Sequence, residues 1–122
     1  MDINNSDRFR CLVAIEQGGF IFEAGKVYFL KTKSDNTVSI YKGCGGVGNF
    51  SLSECDDHFV QVIKIKCTKD IKEDGETLHR AGDIFDVATS SDDEYILYAG
   101  SDTDPVSTIT KATLAIHFEE VA

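Results

Sequence analysis

Glu23-Ala24-Gly25-Lys26-Val27-Tyr28-Phe29-Leu30 returns 57 residues later as Arg80-Ala81-Gly82-Asp83-Ile84-Phe85-Asp86-Val87. Each copy reads as a glycine turn feeding a strand, with apolar side chains at every second place. The glycine is expected at a positive φ that other residues reach only with strain. Behind it, Val27 and Phe29 fall on one side and Tyr28 and Leu30 on the other, so both faces of the strand can be covered.

The repeat runs outward in both directions. Arg8-Phe9-Arg10-Cys11 before the first copy matches Lys64-Ile65-Lys66-Cys67 before the second. After the cores, Val38-Ser39-Ile40-Tyr41 matches Tyr95-Ile96-Leu97-Tyr98, and His58-Phe59 matches His117-Phe118. The offset drifts from 56 to 59 residues along the chain, which places small insertions in the loops between matched strands. Such a period exceeds that of solenoid repeats and fits two small domains, or two halves of one, divided as residues 1–62 and 63–122.

A chain of 122 residues with 42% hydrophobic content has the make-up of a globular protein. It carries no apolar run of the roughly 20 residues a membrane helix needs. The polar start, Met1 to Asp7, is no signal peptide, so a cytoplasmic location without membrane contact is expected. That compartment predicts reduced cysteines: Cys11 and Cys67 buried in first strands, Cys44 in a glycine-rich loop, and no disulfide to Cys55. None of the four forms a CxxC pair, so no metal ligand set is predicted.

Net charge is −9, and it is unevenly spread: residues 1–62 carry 6 basic and 8 acidic side chains, residues 63–122 carry 6 and 13. No basic residue stands between Arg80 and Lys111, where Asp83, Asp86, Asp92, Asp93, Glu94, Asp102 and Asp104 accumulate. Such a stretch repels phosphate and argues against direct nucleic-acid binding, while it attracts basic protein surfaces.

Along the chain, residues 1–7 read as a loose end and strand one as Arg8 to Glu16. Strands follow at 26–33 and 37–42, then a glycine loop over 43–49, a short strand from Phe50, and a helical turn that Ser51 and Glu54 favour. The last strand of the first unit is expected to continue into the first strand of the second. There, Ile71 to Glu76 reads as a charged loop, strands follow at 83–89, 94–99 and 106–109, and Thr110 to Ala115 reads as a turn or a strand. No long amphipathic helix is present. Five short strands per unit, with a helical turn before the last, is the layout of a small SH3-like barrel.

This order of motifs resembles the small SH3-like domains of phage and prophage proteins of Gram-positive bacteria, over Arg8–Val62 and again over Lys64–Val121. The resemblance implies an all-β fold of two tandem SH3-like barrels and no catalytic residue or cofactor. It also implies action by binding host proteins, defence proteins among them, with acidic members occluding nucleic-acid sites.

Other residue groups have plain structural explanations. Gly43 to Gly48 lacks the Gly-Lys-Ser/Thr that a phosphate loop needs. Cys55, Asp56, Asp57 and His58 place a nucleophile, carboxylates and a base together, yet His58 has a repeat partner, His117, with no cysteine beside it, so a structural role with one nitrogen bonded to backbone is expected. His79 reads as a surface residue. Tyr28, Tyr41, Tyr95 and Tyr98 could line a peptide groove, but core packing accounts for them better. The expected function is therefore non-enzymatic: binding of a basic host-protein surface through Asp83, Asp86, Asp92, Asp93, Glu94, Asp102 and Asp104, with inhibition of that host protein as the outcome. The alternatives are a virion or assembly component that self-associates through strand edges, and a sensor holding a small ligand between the units. The oligomeric state is left open by the sequence.

Overall fold

The structure is a computed structural model and describes residues 3–43 and 45–121. A 3-10 turn at Ile3–Asn5 precedes strand β1 (Arg8–Cys11). A hairpin of β2 (Ile15–Gln17) and β3 (Phe20–Phe22) leads through the Gly25 turn to β4 (Val27–Lys33), β5 (Thr37–Gly43) and β6 (Gly46–Ser51). Helix α1 (Leu52–His58) then delivers the chain to the long strand β7 (Phe59–Cys67). The second repeat adds β8 (Ile71–Glu73), β9 (Glu76–His79), β10 (Ile84–Thr89), β11 (Glu94–Tyr98) and β12 (Ser107–Thr110). It ends with helix α2 (Lys111–His117) and β13 (Phe118–Glu120). Strands dominate, and the class is all-β as expected.

Sequence chemistry explains the short helices. Ser51 Oγ accepts from Glu54 N at 3.1 Å, and Glu54 Oε1 accepts from Ser51 N at 3.2 Å, closing a reciprocal cap around the first turn of α1. In α2, Thr110 Oγ1 does the first half of this by accepting from Thr113 N at 3.2 Å. Thr110 to Ala115, read from sequence as a turn or a strand, is thus the cap and body of a helix.

The repeat is built from the same hydrogen bonds twice. Gly25 N donates to Cys11 O at 2.7 Å, and Gly82 N donates to Cys67 O at 2.7 Å. Cys11 N reaches Lys26 O and Cys67 N reaches Asp83 O, both at 2.8 Å. Opposite them, Cys11 pairs with Phe59 and Cys67 with Phe118. The two glycines have φ of 86° and 98°, the positive values the sequence predicted.

One hydrogen-bonded path runs β12-β11-β10-β7-β1-β4-β5-β6, with β13 also paired to β7. The predicted boundary at residue 62 falls inside β7, which serves as last strand of the first repeat and first strand of the second. This path is open at β6 and β12, so neither repeat closes into a barrel through its ladder.

Side-chain alternation sorts the residues of this path onto two faces. On one face lie two separate cores. Phe9, Cys11, Phe22, Tyr28, Ile40, Phe50 and Phe59 form the first, with Phe22 edge-on to Tyr28, Phe50 and Phe59 at 5.0, 5.3 and 5.7 Å. Ile65, Cys67, Phe85, Val87, Leu97, Leu114 and Phe118 form the second. A third cluster, Val62, Ala88 and Tyr98, lies on the opposite face with Val60 and Ile96, and it joins the repeats.

Four local readings change. Strand β1 stops at Cys11 because the Gly25 turn takes both of that residue's backbone groups, and the chain resumes as a strand only at Ile15. Ile71 to Glu76 is not a loop: Asp74 and Gly75, at φ 53° and 82°, make a tight turn between β8 and β9. Much of the predicted glycine loop is β6, whose glycines make room for rings: a Cβ at Gly48 would stand 2.6 Å from Phe22, and one at Gly46 3.0 Å from Phe20. The chain from Ile3 to Ser6 is anchored rather than loose, with Ile3 buried in the second core and Ser6 Oγ donating to Val62 O at 2.6 Å; Met1 and Asp2 lie outside the described residues.

The matched glycines differ in one respect, and that difference is testable. A Cβ at Gly25 would lie 2.0 Å from the Ser101 carbonyl oxygen of the second repeat, whereas one at Gly82 meets nothing within 4 Å. Gly82→Ala should therefore show only the left-handed backbone cost of about 1–3 kcal/mol. Gly25→Ala should lose clearly more, as measured by urea unfolding, because the two repeats must separate locally to admit the methyl.

Candidate functional surfaces

The acidic residues singled out in the sequence do not form one face. Asp86 is buried at 9% exposure and bound by arginines of the first repeat: Arg10 Nη1 donates to its Oδ2 at 2.8 Å and Arg8 Nη2 to its Oδ1 at 3.4 Å. It is a structural counterion rather than a contact residue, because strand alternation turns it toward β1. Asp83 is exposed and accepts from Arg80 N at 3.1 Å, closing the turn before β10. Asp102 and Asp104 lie exposed in the loop after β11, at the same end of the β10–β11 hairpin as Asp83. Asp92, Asp93 and Glu94 lie at the other end, where Thr89 faces Tyr95 and the chain reverses. They are exposed and have no ion-pair partner among the described residues.

The hairpin tip of the first repeat makes an instructive contrast. There, Lys31 and Lys33 precede Ser34-Asp35-Asn36, so one carboxylate beside two lysines stands where the second repeat has three carboxylates and no lysine. The Gly25 and Gly82 turns show a charge inversion, with Glu23 ion-paired to Lys26 in one and Arg80 matched with Asp83 in the other.

Arg10 is the residue the sequence did not single out. It is 1% exposed, and its Nη2 also donates to the carbonyls of Gly100, at 2.9 Å, and Asp102. Its guanidinium lies 5.1 Å from the Tyr98 ring centre. Burial pushes the Tyr98 phenol above its usual pKa despite the arginine beside it. A usable signal was present: the matched position holds Lys66, and an Arg/Lys difference at one repeat site marks a place where planar, multiple hydrogen bonding matters.

The cysteine and histidine groups have structural roles. Cys11, Cys55 and Cys67 are free and buried; Cys44 lies outside the described residues. Burial raises the thiols of Cys11 and Cys55 to about 11, and that of Cys67 upward as well. Cys55 is the buried residue of α1, and His58 places its Nδ1 2.9 Å from the Val13 carbonyl. His79 is half-buried rather than free on the surface, with Nε2 2.9 Å from Ser107 Oγ and its ring edge-on to Phe85 at 4.9 Å. Among the described residues no group of His, Cys, Asp and Glu is arranged to hold a metal ion, and no helix is long and apolar enough to cross a membrane.

Of the tyrosines, Tyr28 and Tyr98 are core residues, and Tyr95 packs against the second core. Tyr41 departs from the core-packing expectation: it is 44% exposed and stands opposite Phe29, which is 46% exposed, on β5 and β4. The sequence pattern hid this because both faces of β4 are apolar, so alternation alone did not say which face stays open.

Comparison with protein families, with curated proteins and with solved structures finds no match to this chain.

The thiols generate a pH prediction. A folded-state pKa raised to about 11 from the ordinary value of 9.0 means that the unfolded chain loses its thiol protons first. Stability is then fully present below pH 9 and falls as pH rises toward 11, by up to about 1.4 kcal/mol per pH unit per thiol. Urea midpoints between pH 8 and 10.5 should decline, and the decline should become shallower in Cys11→Ala compared with its own value at pH 8. At pH 8 a thiol reagent should leave Cys11, Cys55 and Cys67 unmodified until the chain unfolds.

Proposed function

We propose that this chain is a non-enzymatic binding protein that engages a basic surface on a partner protein. The observation that carries the reading is the charge difference between equivalent hairpin tips. Asp35, Asn36 and Thr37 of the first, preceded by Lys31 and Lys33, are matched in the second by Asp92, Asp93 and Glu94, exposed and without ion-pair partners among the described residues. Keeping three like charges together on a tight turn costs self-repulsion that a cationic partner relieves. Asp83, Asp102 and Asp104 form a second acidic group at the far end of the hairpin, suited to a peripheral contact. Asp86 is excluded from the binding set by its burial.

In this reading the two repeats are tandem SH3-like units, which the strand order and the helix before each closing strand support, with the ladder itself left open at β6 and β12. The phage-type resemblance places the partner among cytoplasmic host proteins, including defence or nucleic-acid-processing proteins whose basic site an acidic tip would block. Self-association through strand edges has one observation in its favour, the open outer edges of β6 and β12.

Salt separates the two readings, since surface charge contacts are screened over about 8–10 Å while edge pairing responds much less. Asp92→Asn, Asp93→Asn and Glu94→Gln combined should leave the melting temperature unchanged or slightly raised. The triple variant should weaken capture of a partner isolated from host lysate, by roughly 0.2–1 kcal/mol per charge removed. Titration calorimetry at low and high salt measures it. Equal affinity of parent and triple variant in both would show that the tip only keeps the protein soluble.

A further inference from the structure

A second surface lies on the face of the sheet opposite the two main cores. Register places Tyr41, Phe29 and Arg8 directly across from one another on β5, β4 and β1, and Arg8 across from Val62 on β7. Lys64, two residues along β7 on the same face, pairs with Asp86, and Ile84, level with Lys66 on β10, lies at the far corner of this surface. Phe29, Tyr41 and Ile84 are 46%, 44% and 43% exposed. The row is continuous: Arg8, Lys64 and Phe29 line a groove of about 430 Å³, and Arg8, Lys64 and Ile84 line a smaller one of about 180 Å³ beside it.

The charge of this row runs against that of the protein. Arg8, Arg10 and Lys64 stand around a single carboxylate, Asp86, and Arg10 takes its shorter contact at 2.8 Å. Arg8 keeps a contact of 3.4 Å, its guanidinium lies 5.6 Å from the Phe29 ring centre, and its Nε is buried without a partner among the described residues. Lys64 is exposed with no ion pair among them. Two under-used cations therefore sit at the middle of a row whose ends are aromatic and aliphatic. Adjacent strands are about 4.8 Å apart and Ile84 stands four residues along β10 from the position level with Val62, so the diagonal from Tyr41 to Ile84 spans roughly 23 Å, the length of an extended peptide of about seven residues.

We propose that this row binds an extended acidic peptide segment of a partner protein, its carboxylates over Arg8 and Lys64 and apolar side chains at Phe29 and Ile84. Arg8 meets a carboxylate as a planar fork, which gives the segment orientation as well as charge. The guanidinium already covers one face of Phe29, which leaves that face closed to a stacking base and favours a peptide over single-stranded nucleic acid. Asp7 and Glu120 stand on the rim of the larger groove and oppose an anion, so they set a limit on affinity. This surface is separate from the acidic hairpin tip, and its occupancy does not depend on the tip's role.

The probe is the peptide Ac-Phe-Glu-Asp-Glu-Asp-Leu-NH2, titrated into the ¹⁵N-labelled full chain, with its Gln/Asn counterpart and hexathymidylate as controls. Saturable amide shifts are expected around Arg8, Phe29, Lys64 and Ile84, absent with the neutral peptide and with hexathymidylate. Lys64→Glu, an exposed change checked for folding by circular dichroism, should weaken binding at least tenfold. Glu120→Gln should tighten it, and the hairpin-tip triple variant should bind as the parent does. Absence of saturable shifts, equal binding by the neutral peptide, equal binding by Lys64→Glu, or hexathymidylate shifting these amides in place of the peptide would each overturn the proposal.

Discussion

The Arg10–Asp86 pair is the interaction on which the arrangement of this chain depends. A guanidinium taken out of water costs several kcal/mol unless its donors are met. Here every acceptor the guanidinium finds comes from the other repeat: the Asp86 carboxylate on β10 and the carbonyls of Gly100 and Asp102 after β11, with the Tyr98 ring 5.1 Å away; Nε alone is buried without a partner among the described residues. The loop from Ala99 to Val106 is thus held to β1, and its Ser101 carbonyl comes up against the Gly25 turn, where only a glycine fits. Val62, Ala88 and Tyr98 pack beside the pair in an apolar cluster, and strand β7 runs unbroken between the repeats. Two units that each have a core of their own are in this way joined along one side into a single body.

That joining explains how the copies differ. Their hydrogen-bonded frames match nearly bond for bond, while charge has diverged at the turns, at the hairpin tips and at Arg10 and its counterpart Lys66. One face of the sheet is committed to the two cores. On the other, the part around Arg10 and Asp86 is closed by the second repeat, and the part bearing Phe29, Tyr41 and Lys64 stays open. The consequence is one exposed acidic hairpin tip and one open strip bearing Arg8, Lys64, Phe29 and Tyr41, the two surfaces on which the proposed binding rests.

Much of the frame was legible in the residues. Alternation, the Ala-Gly turns and the His-Phe ends of the two helices locate most strands, and the continuity of β7 follows from the lack of any linker between Phe59 and Thr68. The hairpin at Ile71–His79 was missed although Asp74-Gly75 is a strong turn signal, because the charged residues around it read as loop. Gly46 and Gly48 misled for a different reason: their role is to admit Phe20 and Phe22, a contact between distant segments that composition does not reveal. The site suffered from the same blindness. A run of carboxylates in sequence looks continuous, yet strand geometry buries Asp86 and sends Asp92 and Asp102 to opposite ends of one hairpin.

A double-mutant cycle at Arg10 and Asp86 tests the central claim most directly. Arg10→Met and Asp86→Leu, measured by urea unfolding of the whole chain, should each lose about 3–5 kcal/mol, because the first leaves Asp86 only its longer contact to Arg8 and the second leaves the buried Arg10 guanidinium without its carboxylate. The double variant should recover a large part of that loss, since no buried charge remains, and unfolding should stay a single transition in the parent. Single variants that lose less than about 1 kcal/mol and simply add, or a parent that unfolds in two steps, would contradict the account and show the repeats to be independent.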